Sequence, residues 1–99
     1  EFRFRELYYY VLQYPEWERE FLAGRKTPEE LEKLRAKMDQ IDILCLMTEE
    51  GLAEYIRAGV VWKDMTYTKL KSVFGIPCDR NTYYKYRRKF YWLLDKKKD

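Results

Sequence analysis

Apolar residues recur along most of this chain at intervals of three and four, the spacing of one face of an α-helix. Phe4, Leu7, Tyr8, Val11 and Leu12 predict a helix over about 3–13. Pro15 disfavours helix at Tyr14 and suits the first turn of a new one, so 15–24 reads as a short helix with Trp17 and Phe21 four apart and Gly24 as its stop. Thr27-Pro28-Glu29-Glu30 is a helix start, with Thr27 capping, Pro28 in the first helical position and Glu30 closing a capping box. Leu31, Leu34, Met38, Ile41 and Cys45 follow as a seam of about two heptads, and Ile43, Leu44, Leu46 and Met47 widen its apolar face as a central core helix requires. Thr48 either caps a new helix or interrupts the old one. Leu52, Tyr55 and Ile56 carry a helical face up to Gly59, a stop, and Val60-Val61-Trp62 is too short a run to tell a strand from a buried connector, the connector being the preferred reading.

The C-terminal third repeats the helical rhythm on two unlike faces. Thr66 caps a helix of about 67–74 with Leu70, Val73 and Phe74 facing inward. Gly75 ends it, Ile76 plugs the corner and Pro77 prevents its continuation. Asp79 then caps a long helix running to Leu94. Tyr83, Tyr86, Phe90, Leu93 and Leu94 form its apolar stripe; Asn81, Tyr84, Lys85 and Arg88 form a polar, basic one. Helix, glycine turn, basic helix is the helix-turn-helix order, whose second helix enters the DNA major groove. The expected fold is all-α, five or six helices, with residues 1–62 as helical support and 63–99 as the helix-turn-helix region of one domain. The final Lys96–Asp99 run is expected to fray.

Charge sharpens this picture. Residues 63–99 carry eleven Lys/Arg against four Asp/Glu, a net of +7, whereas 1–62 carry nine against thirteen, a net of −4. A basic third on an acidic support is the footprint of a nucleic-acid binder, although a solvated charged surface gives the same count. Ten tyrosines supply much of the aromatic content, 18% of the chain, and suit half-buried positions. The aromatic N-terminal section is expected to pack on later helices, with a partner surface as the alternative.

Several classes recede. The chain has no histidine, and Cys45 and Cys78 form no CxxC, which argues against a Cys/His zinc site, so no metal and no cofactor are expected. Ser72 is the only serine and no glycine-rich phosphate loop occurs, so an enzyme is not expected. Cys78, in an exposed basic turn, is the one candidate for a reactive thiol, against the ordinary role of an incidental cysteine. No membrane-spanning run and no signal-peptide pattern appear, and unpaired cysteines fit a reducing cytoplasm. The chain opens on Glu1 rather than Met, as a fragment would.

Met65-Thr66-Tyr67, Phe74-Gly75-Ile76, Thr82-Tyr83-Tyr84 and Arg87-Arg88-Lys89 carry a resemblance across about residues 60–95. This stretch resembles the fourth region of sigma-70-type factors and, more closely, the small phage-encoded late-transcription regulators of the ArpU and RinA kind. Six residues separate Gly75 from Thr82, two more than in that class, with Pro77 and Cys78 as the extra pair. Lys71 stands where the motif usually has a small residue; either its stem lies along the second helix with its charge snorkelling out, or the alignment is displaced by one. The resemblance implies a bacterial or prophage transcriptional regulator with double-stranded DNA and RNA polymerase as partners. Arg80, Asn81, Tyr84, Lys85 and Arg88 are the expected base readers. Lys69, Lys71, Thr82, Arg87 and Lys89 are the expected phosphate contacts. A homodimer, through the Leu31–Leu34–Met38–Ile41 seam or the aromatic N-terminus, would supply two half-sites. The alternatives are a protein–protein interaction module with a solvated basic tail, or a phage packaging subunit of the small-terminase kind.

Overall fold

The computed structural model describes residues 3–98, and among them helix follows helix with no strand. The helices are α1 (Phe4–Val11), α2 (Tyr14–Ala23), α3 (Pro28–Thr48), α4 (Ala53–Val61), α5 (Tyr67–Lys69) and α6 (Arg80–Lys98). A single 3-10 turn, Glu50–Leu52, leads into α4, and a π-helical turn, Leu70–Phe74, extends α5. The all-α architecture expected from the spacing is the one found.

Local chemistry sets several boundaries. Thr27 and Glu30 form the full capping box at the start of α3, and Gly24 ends α2 in the left-handed region at φ 70°. Tyr14 departs from expectation by being the first residue of α2, immediately before Pro15. Its ring is buried, and its hydroxyl donates to Asp42 at 2.9 Å while accepting from Arg57 at 3.0 Å. These tertiary ties outweigh the pre-proline bias against helix. Lys96, Lys97 and Lys98 are also helical rather than frayed. Cations favour a helix C-terminus, and Lys96 and Lys98 lie over the rings of Trp92 and Tyr10.

The long helix α3 packs against α2, α4 and α6, and α1 lies on α4 and α6. Leu7, Val11, Tyr14, Trp17, Ile41, Leu44, Ile56, Val60, Phe90 and Leu94 are among the buried side chains of the main core. Leu34, Ile41 and Cys45 of the proposed seam are spent in this core, with Leu31 and Met38 partly covered. Ile43, Leu46 and Met47 do not widen the buried face; each is about half exposed. Ile43 and Leu46 each lie two residues beyond a buried position, about 200° around a helix that turns roughly 100° per residue. Thr48 neither caps nor interrupts: it is the last residue of α3, buried, with its hydroxyl donating to the Leu44 carbonyl at 2.7 Å.

Burial decides the energetics. Phe90, Ile41 and Leu94 are fully buried and contribute about 1.5–3 kcal/mol each. The Arg57–Asp42 pair at 3.8 Å is more than 40% exposed on both sides and is worth about 0–1 kcal/mol.

Gly59 is not a helix stop. α4 continues through Val60 and Val61, both buried, so these form its last turn rather than a connector. A Cβ at Gly59 would stand 2.0 Å from the Tyr83 hydroxyl oxygen, 3.0 Å from its Cζ and 3.2 Å from Leu70 Cδ1. Glycine is here for close approach of α4 to α6. Gly59→Ala should therefore lower the denaturation midpoint, because overpacking of about 1–3 kcal/mol exceeds the gain in helix propensity of about 1 kcal/mol. Adding Tyr83→Phe removes the atom first struck and should recover part of the loss; urea melts of both variants and of Tyr83→Phe alone check this.

Candidate nucleic-acid interface

A second, smaller core builds the corner between α5 and α6. Leu70, Ile76 and Tyr83 are buried together, with Leu52, Tyr55, Ala58, Met65 and Tyr67 packed around them. Thr66 accepts from the Lys69 amide and caps α5, and Asp79 accepts from the Thr82 amide at 2.8 Å and caps α6. Gly75 is left-handed at φ 66°. Its amide reaches the Leu70 and Lys71 carbonyls, closing the widened turn. That widening answers for a misplaced pair: Val73 is 66% and Phe74 49% exposed rather than inward. A π turn holds an extra residue, so the positions after Leu70 rotate away from the face that α-helical spacing assigns them.

The longer connection of Ile76 to Asp79 is held by α5. Tyr67 donates its hydroxyl proton to the Cys78 carbonyl, and Lys71 donates to the Ile76 carbonyl at 3.2 Å. Lys71 is exposed and spends one of its three donors on that carbonyl. Tyr67 also stacks beneath Arg80, whose guanidinium lies 5.5 Å from the ring centroid and donates to the Thr68 hydroxyl at 3.2 Å.

The expected base readers divide. Asn81, Lys85 and Arg88 are exposed along one side of α6, four and three residues apart. Arg80 is exposed at the corner but engaged with Tyr67 and Thr68. Tyr84 is half-buried, its ring edge-on to Tyr83 and its oxygen accepting from the Tyr67 amide at 3.3 Å. It holds α5 against α6. The expected phosphate contacts divide too. Lys69 is exposed. Thr82 is half-buried, and its amide is taken by Asp79. Arg87 points toward α1, with its guanidinium 5.8 Å from the Phe4 centroid and 5.2 Å from that of Tyr91. Lys89 donates to the Thr48 carbonyl at 3.2 Å, bracing α6 against the end of α3.

The sequence reading missed Tyr67, the clamp of the connection, and Trp92. Trp92 continues the stripe of Asn81, Lys85 and Arg88 by a further four residues and is 58% exposed. Helical spacing alone would have found it. Tyr67 left no such signal, because its partner is a backbone carbonyl.

Electrostatics follow burial. Loss of solvent pushes the Tyr83 phenol up to about 12, against the opposing Arg87 charge. Cys45, in the main core, is pushed up to about 12 by burial, with Asp42 adding to it. Cys78 is raised by desolvation and by Asp79, with Lys71 opposing, so the electropositive turn does not activate it. Both cysteines are free thiols. Among the described residues no group of three or more His, Cys, Asp or Glu could hold a metal ion, and no helix is long and apolar enough to cross a membrane.

Compared with known proteins, the chain matches no protein-family model, no curated protein and no solved structure.

The Asp79 carboxyl is held below the usual carboxylate range by its hydrogen bonds to Thr82. A folded-state pKa depressed in this way gives stability that is present above the unfolded pKa and lost as pH falls through the folded value. Asp79→Ala should therefore lower Tm near neutral pH, and its gap to wild type should narrow once the carboxyl is protonated. Asp79→Asn, a neutral cap, should show a smaller loss with little pH dependence; thermal melts across the acid range check all three.

Proposed function

We propose that this chain binds double-stranded DNA with sequence preference through α5 and α6, as a bacterial or prophage transcriptional regulator. One observation carries the reading. α6 buries Tyr83, Phe90 and Leu94 on one side and leaves Asn81, Lys85 and Arg88 exposed on another, with no acidic residue before Asp95. Arginine reads guanine O6 and N7, and asparagine reads adenine N6 and N7, by paired hydrogen bonds. Lys69, exposed on α5, is the proposed phosphate contact, which would position the helix without reading sequence. The likeness of 60–95 to the ArpU and RinA regulators supports the same role and adds RNA polymerase as a partner.

A second reading, a protein-interaction module, is favoured by the exposed Ile43, Leu46 and Met47 on α3. Within the DNA reading, the same patch is the place for a homodimer contact, since Leu34 and Ile41 of the seam lie in the core.

Arg88→Ala or Asn81→Ala should each cost roughly 1–3 kcal/mol on the preferred duplex and relax sequence choice. Lys69→Ala should weaken binding to all duplexes about equally and reduce the salt slope by about one unit. Lys89→Ala, which frees the Thr48 carbonyl, should change Tm more than affinity. Titrations of labelled duplexes at several salt concentrations separate these outcomes; absence of duplex binding at low salt would reject the reading.

A further inference from the structure

Arg87 and Arg88 are adjacent in sequence and line one cleft, between α1 and the stretch of α6 from Arg87 to Asp95. Its volume is about 330 Å³, at the low end of the roughly 300–1,000 Å³ of small-ligand sites. Phe4, Tyr91 and Trp92 supply its aromatic wall, and the Arg3–Asp95 ion pair at 3.1 Å forms part of the rim.

Two features of this cleft call for a ligand. Arg87 is half-buried over the rings of Phe4 and Tyr91, which meet edge to face with centroids 4.9 Å apart. No Asp or Glu lies within ion-pair distance of it among the described residues. The rings offset only part of the cost of partly desolvating that cation. An anion entering the cleft meets Arg87 and the exposed Arg88 together, and guanidinium groups bind phosphate oxygens in paired fashion. The second feature is Trp92, the largest aromatic surface left in water on α6, with Lys96 lying 5.1 Å from its ring centroid. An exposed indole flanked by cations is a platform for a nucleobase, because every base presents a π face.

We infer that the α1–α6 cleft holds a nucleotide, with its phosphate at Arg87 and Arg88 and its base stacked on Trp92. A base within a duplex is stacked on its neighbours and has no free face. The ligand is therefore a free nucleotide or one unit of a single strand. This goes beyond the duplex reading, which uses the N-terminal half of α6, and only Arg88 is common to both.

The test is fluorescence anisotropy of a labelled short deoxythymidine strand at low salt. Thymidine monophosphate and inorganic phosphate serve as competitors, for wild type and for Trp92→Leu. Trp92 is exposed, so the variant should fold, and a thermal melt verifies it. The strand should bind wild type, and Trp92→Leu should weaken it roughly tenfold, as loss of one stacked base would. Thymidine monophosphate should compete well and inorganic phosphate poorly. Tighter binding of the strand than of the mononucleotide would assign the polymer as the source, and the reverse would assign the free nucleotide. No strand or mononucleotide binding, equal affinity of the variant, or equal competition by inorganic phosphate would each overturn the inference. A duplex titration of the same wild-type protein keeps the two readings apart: strand binding without duplex binding supports the cleft and removes the duplex reading.

Discussion

The missing side chain at Gly59 sets the distance between α4 and α6. The Tyr83 ring occupies the space that any Cβ there would claim, and Leu70 closes on the same spot. Three segments distant in sequence are thereby brought to one point. Ile76 seals the corner beside them, so the orientation of α6 relative to α5 depends on the fit around Gly59. Further along, α6 passes into the main core through Phe90, Tyr91 and Leu94. One helix thus belongs to both cores. A shift at Tyr83 would be felt along its whole length, because close-packed interiors transmit strain rather than absorb it.

What the sequence made legible was chemistry that acts over three or four residues. The Thr27–Glu30 box, the Thr66 and Asp79 caps, and the left-handed Gly75 satisfy backbone groups that lie beside them in the chain, and Gly24 ends α2 in the same left-handed region. Such signals need no knowledge of the rest of the molecule. What was not legible depended on a distant partner. Gly59 resembles a stop until Tyr83 is seen against it. Ile43, Leu46 and Met47 are as apolar as Leu44, but α2, α4 and α6 cover only one side of α3. Val73 and Phe74 obey α-helical spacing, and the π turn changes the spacing beneath them.

The basic helix shows the same division. Counting charge treats the five cations between Arg80 and Lys89 alike. Their neighbours do not. Arg80 is taken by Tyr67 and Thr68 at the corner, Arg87 by two rings facing α1, and Lys89 by the Thr48 carbonyl. Lys85 and Arg88 are left on the outer side with Asn81. Lys89, spent on an internal carbonyl, contributes to cohesion, and a duplex phosphate would have to displace that contact to recruit it. The charge left for the proposed duplex contact is therefore smaller than the net charge suggests, while its placement is more definite.

That sorting also divides α6 along its length. Its first half is bounded by the glycine corner and leaves Asn81, Lys85 and Arg88 exposed. From Arg87 onward the helix lies against α1, where Arg87 sits over the rings of Phe4 and Tyr91 and Trp92 stays in water. Helices that enter a major groove make their base contacts with their N-terminal residues. A 19-residue helix, at about 1.5 Å per residue, extends well beyond that contact zone. Nothing in the packing of α6 requires an indole exposed at position 92, since the buried side is already supplied by Phe90, Tyr91 and Leu94. Lys96 already lies over that ring, and the inferred occupant of the cleft would cover it further, with the cations beside it favouring an anion.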